Sequence, residues 1–406
     1  MSQTEVQLIK ADAVQTGDIA NSAVTDAKIS GVASSKLTGA LPAISGAALT
    51  NLPEGAGKAQ NLIINGAMQV AQRGTSSTAG GYCSVDRFRS FQNGLDEAPT
   101  YSQGDVTSGG AYNSGFRKSF KITNGNQTSA GADDHIVLEY RVEDQDLATS
   151  GWNYLSSSSN ISFSFWVKSS VAQNFYFGFQ SDNGSQYRYV METGSLTADT
   201  WTKITKTIPG NSNLVFNNDN GIGMYINWHL YNGTNRTGTR PLNAWAALDN
   251  ASRTPDDSST WYTTNDATFE ITGVQLEVGD SATDFNHESF AETLRKCQRY
   301  FQVLVNTESV YFGMGYMYDH YRGYLPVQYY VEMRAAPSFQ FTSGTNYYSL
   351  HRAGTGDNFD GWNTVIGGDN KHSAIQAQSG LSGTGGDAGA FWSGNANSKI
   401  TFEAEL

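Results

Sequence analysis

Proline is scarce in this chain, with 8 residues against 43 glycines, and charged residues make up only 16% of it. Sparse charge beside 12% aromatic side chains excludes the disordered class, which needs low hydrophobicity and high net charge. Cysteine is nearly absent. Cys83 and Cys297 lie too far apart in sequence for a stapled framework, and two thiols in 406 residues point to folding in a reducing cytoplasm. No apolar run approaches the roughly 18 residues of a membrane span, and the start "MSQTEVQLIKADAVQTGDIA" has no apolar stretch of signal-peptide length. Neither a secretion signal nor membrane insertion is expected. Positive charge is short as well. With 26 Lys and Arg against 38 Asp and Glu the net charge is −12, and without a basic stripe broad attraction to nucleic acid or anionic lipid is excluded.

Catalytic signatures are also missing. There is no HExxH, GxSxG, Walker loop or GxGxxG before a helix, and the six histidines lack metal-ligand spacing. No cofactor, metal site or catalytic residue is expected. A Ca²⁺ in the loops "QSDNGSQ" (180–186) or "FNNDNG" (216–221) stays open. A glycan depolymerase would need two carboxylates about 5–9.5 Å apart. The candidates are Glu139, Glu143, Asp144 and Asp146 in "EYRVEDQD", which reads more simply as a solvated strand edge running into a turn.

What is present divides into four parts. Residues 1–57 contain no Phe, Tyr or Trp. Val14 and Val24, and Ile19 and Ile29, are ten residues apart, and Leu37, Leu41, Ile44, Leu49 and Leu52 follow among small residues. Alone this stretch buries too little to offset backbone entropy of roughly 1–2 kcal/mol per residue. Sparse repeats of this kind become stable when they meet other copies, so a homo-oligomeric shaft is expected.

Residues 58–287 change to alternating strands separated by turn residues. The stretch "NLIINGAMQVAQ" (61–72) opens the series. "HIVLEYRVE" (135–143) and "GIGMYINWHLYNG" (221–233) follow, and "NISFSFWVKSS" (160–170) puts Ile161, Phe163, Phe165 and Val167 on one face. About ten such strands imply two packed antiparallel sheets, a jelly-roll β-sandwich. Residues 288–304 hold the one plain helix. Ser289 and Glu292 form a capping box, with Phe290, Leu294, Cys297 and Phe301 on one stripe. Residues 305–406 read as a small C-terminal β domain whose closing strand, "SKITFEAEL", pairs in a sheet.

Three stretches, "NLIINGAMQVAQRGTS…YCSVDRF" (61–88), "FEITGVQLEVGDSATDFNHESFAETLRKCQRYFQ" (269–302) and "LPVQYYVEMRAAPSF" (325–339) with the closing "ITFEAEL", resemble phage tail-fibre proteins. "LTGALPAISGAALTNLP" (37–53) is similar to the shaft repeats of that group, and "NISFSFWVKSS", "TWTKITKTI" and "ATFEITGVQLEVG" look like the jelly rolls of carbohydrate-binding modules. The resemblance implies a mainly β, elongated homotrimer assembled in the host cytoplasm and carried on the virion. Residues 1–57 would bind the phage tail or other virion proteins. The sandwich body and connecting helix would carry a C-terminal tip that faces a host-surface polysaccharide or other receptor. The short shaft keeps a structural appendage, such as a head fibre, open.

Sugar rings are recognised by aromatic faces with amides and carboxylates bonding the hydroxyls. Two stretches have that vocabulary. In the body it is "NWHLYNGTNR" (227–236), with Trp228 and Tyr231. In the tip it is "YFGMGYMYDHYRGY" (311–324), with Tyr316, Tyr318, Asp319, His320, Tyr321 and Arg322, joined by Phe359 and Trp362 of "GDNFDGWNTV". Any one aromatic is ordinarily core; the Tyr- and Gly-rich tip cluster resembles an adaptable binding surface.

Overall fold

The computed structural model describes residues 61–377 and 380–406, so the shaft expected over residues 1–57 lies outside the described residues. Clean alternation makes the strands of the body. Ile161, Phe163, Phe165 and Val167 of strand Asn160–Ser169 are all fully buried, as the period of two requires. They belong to a six-stranded antiparallel sheet whose neighbours run Ser76–Ser77, Thr100–Asp105, Lys118–Thr123, Thr268–Val278, Asn160–Ser169 and Thr202–Pro209. A second six-stranded antiparallel sheet runs Trp245–Ala247, Tyr187–Glu192, Tyr176–Ser181, Ile222–Asn232, His135–Glu143 and Phe88–Asn93. The two pack face to face through aromatics. Phe163 meets Phe179 edge-on at 5.1 Å, and Phe165 meets Phe177 at 5.0 Å and Trp228 at 5.8 Å. Each fully buried Phe contributes about 1.5–3 kcal/mol of transfer free energy.

The stretch 61–72 departs from expectation. It forms turns rather than a strand, because Asn65 turns its side chain onto its own neighbourhood: Nδ2 donates to Val70 O and Asp86 O, and Oδ1 accepts from Val70 N. A side chain that satisfies the backbone locally competes with a ladder. Two five-residue helices, Gly109–Asn113 and Asp144–Ala148, were also not expected.

The connecting helix spans Phe290–Gln298 and carries the expected capping box. Its buried face differs. Thr293 and Cys297 point inward, Phe290 is exposed, and Phe301 already belongs to the next strand, Phe301–Val305. The helix is too short to carry an eleven-residue stripe.

The C-terminal part holds a three-stranded antiparallel sheet, Phe301–Val305, Ile400–Glu403 and Ser338–Phe341. Beside it lies a seven-stranded one, Thr355–Phe359, Tyr348–Arg352, Ala388–Ser393, Val310–Met317, Gly323–Gln328, His372–Ala377 and Trp362–Gly368. Its core is Met317, Leu325, Tyr348, Leu350, Phe391 and Phe402 with their neighbours, separate from the sandwich core. Paired as expected, the final strand carries the chain end back to the body.

A polar junction joins the two cores. Arg299 at the helix end clamps Glu143 with Nε and Nη2, both at 2.9 Å, and the Tyr300 hydroxyl donates to the same carboxylate. Arg87, fully buried, pairs with Glu405 and lies 3.5 Å over the Tyr300 ring. Arg73 stacks at 3.7 Å on Phe301. The helix is therefore a joint, and its C-terminal end carries the bolts.

Candidate functional site

Strand Val310–Met317 ("VYFGMGYM") runs through the middle of the seven-stranded sheet. A β-bulge between Tyr311 and Gly313 resets its register, so Tyr311 opposes Trp392, Met314 opposes Ala390 and Tyr316 opposes Ala388. Positions 388, 390 and 392 alternate onto one face, so the bulge brings Tyr311, Met314 and Tyr316 to that outer face together. Gly315 keeps the strands in register here, because a Cβ on it would stand 2.1 Å from the Tyr324 carbonyl oxygen. Phe391 and Leu325 fill the opposite face with core.

One end of this outer face is an aromatic triad. The Tyr311 hydroxyl and His351 Nδ1 are 2.8 Å apart; Tyr311 meets the Trp392 ring at 4.6 Å, and His351 stacks on Trp392 at 5.6 Å and 21°. Met314, 68% exposed, occupies the middle. At the other end Tyr318 stacks on Tyr324 at 4.8 Å and 12°, and Tyr316 meets Tyr324 edge-on at 6.0 Å. From position 392 to 388 the strand covers about 13 Å at its usual rise. The result is a strip of ring faces with a solvent-exposed thioether between them.

The turn beyond Tyr318 supplies polar groups. Asp319 Oδ1 accepts from the backbone N–H groups of Tyr321 and Arg322, at 3.0 and 2.9 Å, and Oδ2 accepts from Arg322 Nε at 2.7 Å. The Arg322 hydrogen bond, with the backbone donors, holds the Asp319 carboxyl down at about 2, so it is ionised throughout the physiological range. The Arg322 guanidinium lies 4.8 Å over the Tyr318 ring. His320 Nδ1 meets the Gly383 carbonyl, tying this turn to the neighbouring loop, and Tyr321 stands out at 66% exposure. All six expected tip residues, Tyr316, Tyr318, Asp319, His320, Tyr321 and Arg322, thus come together at one end of the sheet.

The other four expected site residues are core. Phe359 and Trp362 are buried against Tyr348, at 5.6 Å each, and face the inner side of the seven-stranded sheet. Trp228 is buried between the body sheets. Tyr231 stacks on Tyr262 at 4.2 Å beneath the connection of residues 233–266. In each case the ring took the inward position and joined a core cluster. Conversely, Tyr311, Met314, His351 and Trp392 were missed. His351 and Trp392 lie 40 and 81 residues from Tyr311, and only the strand pairing joins them; the adjacency of Phe391 and Trp392 on one strand was the available signal that one of them faces outward.

Of the four carboxylates weighed for catalysis, three are held by neighbours, and the fourth, Asp146, is half-buried, with burial raising its carboxyl to about 6. Glu139 Oε1 accepts from Arg89 Nη1 at 3.0 Å and Arg141 Nε at 2.8 Å; Glu143 is clamped as above; Asp144 accepts from Asn217 N. His135, at the start of the same strand, is buried against Phe91. Among the described residues no three His, Cys, Asp or Glu side chains gather to hold a metal, and no helix is long and apolar enough to cross a membrane.

No family model matches the sequence, and no curated protein matches it. Among solved structures, the enzymatically active domain of tailspike protein 4 of bacteriophage CBA120 is similar over 54% of this chain and 21% of its own, at 10% identity and a TM-score of 0.29. The family 11 carbohydrate-binding module of a Clostridium thermocellum cellulosomal cellulase is similar over 50% of this chain and 95% of its own, at 14% identity and a TM-score of 0.26. The N-terminal CBM22 tandem domain from Paenibacillus barcinonensis covers 86% of this chain and 99% of its own, at 8% identity and a TM-score of 0.25. The chain thus spans about a fifth of the tailspike's length.

Proposed function

We propose that this chain is a non-enzymatic adhesin of a phage virion that binds a host-surface glycan through the outer face of its seven-stranded sheet. The observation that carries the reading is the exposed strip Tyr311–Met314–Tyr316–Tyr318, with the half-buried Trp392 at one end and the Asp319–Arg322 pair at the other. Flat rings stack on the C–H faces of sugars, and the carboxylate and guanidinium bond the hydroxyls beside them. Residues 1–57 would join copies into a trimer and attach them to the tail, and three strips acting on one surface would convert weak single sites into firm attachment.

The test is binding of the full chain to a glycan array and to whole-cell polysaccharide, repeated with Tyr318→Ala and Trp392→Ala. Retained folding with binding weakened at least about tenfold supports the reading; unchanged binding overturns it. A second reading is favoured by the same exposure: an apolar strip also suits contact between copies in a structural appendage. Hydroxyl-radical labelling of the full-length oligomer separates the two, since Tyr311, Tyr316 and Tyr318 react in an adhesin and are shielded in a structural contact.

A further inference from the structure

The outer face of the body sheet containing Ile222–Asn232 gathers arginines that no carboxylate pairs with directly, Glu139 and Asp249 acting on them only from a distance. Arg188, on strand Tyr187–Glu192, lies in register between Gln180 and Ala246. The connection of residues 233–266 pairs along the edge of this sheet, with Asn243 N donating to Val190 O at 2.8 Å and Leu248 N to Gln186 O at 2.9 Å, and then returns over its face, where the Arg253 carbonyl meets Arg188. Beneath it Arg188 is only 3% exposed. Its Nη groups reach neutral acceptors, the Gln180 amide oxygen and, at 3.3 Å, the Arg253 carbonyl, and its Nε is buried without a partner.

Two more arginines come from the covering connection. Arg240 donates to the carbonyls of Ala247 at 2.9 Å and Ala246 at 3.2 Å, the latter paired with Arg188 across the sheet. Arg253 donates to Asn250 Oδ1 at 2.8 Å. The Nε of each is likewise buried and unpartnered. Among the described residues none of the three arginines forms an ion pair, and Glu139 on the same face is already engaged by Arg89 and Arg141.

A buried cation with no paired counter-charge is strongly unfavourable, and more so beside two like charges. Burial, then Arg253 and Arg240, pull the Arg188 pKa down to about 9, and burial also lowers those of Arg240 and Arg253. In a chain of net charge −12 this is a local inversion of sign. Planar guanidinium forks match oxyanions, and three free Nε donors in one cluster supply that match. Because Arg240 and Arg253 are only half-buried, the cluster reaches solvent beside the edge strand Trp245–Ala247. We propose that Arg188, Arg240 and Arg253 form an oxyanion-binding site that takes the carboxylate or sulfate group of an acidic saccharide. The choice of a saccharide rests on the glycan-binding reading proposed above, whereas the arginine site stands apart from the tip strip.

The experiment is calorimetric titration of the full chain with oligogalacturonate, sodium sulfate and neutral maltotriose at constant ionic strength, with thermal unfolding alongside. Oligogalacturonate is expected to bind and raise the melting temperature, whereas maltotriose leaves this site empty. Arg188→Met and Arg253→Gln are each expected to weaken that binding at least about tenfold. Arg188→Met is further expected to unfold no more readily than the parent in anion-free buffer, since it removes an unpaired charge. Should Arg188→Met fail to fold, Arg253→Gln carries the test from the half-buried rim. Binding of sulfate alone would overturn the saccharide and leave a free-anion site, and no response above the sodium chloride baseline would overturn the site altogether. Tyr318→Ala leaves these titrations unchanged, so failure here and failure of the tip reading are told apart.

Discussion

Two stretches of the chain use one vocabulary and meet opposite fates. "NWHLYNGTNR" in the body and "YFGMGYMYDHYRGY" in the tip both mix aromatics with Asn, Asp or Gly. In the body Trp228 and Tyr231 are buried; in the tip Tyr311, Tyr316, Tyr318 and Tyr321 are exposed. The body strand sits inside its sheet, with a second sheet on one side and the connection of residues 233–266 over the other. The tip sheet packs on core with one face, and its other face presents rings. Whether an aromatic is core or site depends on what covers its face.

Substitution breaks the comparison most sharply where burial is complete. Trp228→Ala is expected to cost about 3–5 kcal/mol in chemical denaturation, and Trp362→Ala a similar amount, with any loss of glycan binding following loss of fold. Next comes the junction. Arg299→Met leaves the fully buried Glu143 carboxylate without its clamp and is expected to cost about 3 kcal/mol. Differential scanning calorimetry should then resolve separate melting of the two cores, whereas a single unchanged transition would show that the junction does not couple them. Smaller again is the stability change for Tyr318→Ala, within about 1 kcal/mol, although its binding loss is expected to be large. That pairing, near-parent denaturation with lost binding, is the reverse of Trp228→Ala.

The smallest effect is on pH dependence. Burial raises the Asp86 carboxyl to about 6, despite the opposing Arg73 charge. The folded state then holds a proton that the unfolded state has released between about pH 4 and 6, so this group's contribution to stability falls as pH rises through that window. Glu143 is shifted the other way: its Arg299 and Tyr300 hydrogen bonds outweigh burial and lower its pKa, so its contribution is present above the unfolded value and is lost on acidification. Asp86→Asn is therefore expected to flatten the fall of stability between pH 4 and 6, read from urea midpoints across that range.

Much of the fold was legible because alternation is a local signal. Strand His135–Glu143 has the bounds read from the sequence, and Asn160–Ser169 ends one residue short of its expected end. The capping box at Ser289 and Glu292 needs only four consecutive residues of context. Residues 61–72 misled for a physical reason: their apolar residues pack against Tyr140 and the body core without forming a ladder, while Asn65 satisfies the backbone. The turn cluster from Tyr318 to Arg322 was legible because its groups are neighbours in the chain. The triad Tyr311–His351–Trp392 was not, because strand pairing across 40 and 81 residues assembles it.

By itself the sequence determined the class of the protein: mainly β, poor in charge, with a capped helix between two strand-rich parts. Those properties follow from composition and from periods of two to four residues, which neighbouring side chains enforce. Only the tertiary structure decided which aromatic rings face solvent, which carboxylates became clamps, and where three arginines meet without a paired carboxylate. Each of these depends on which face of a sheet another segment covers, and that is set by packing between residues far apart in the chain.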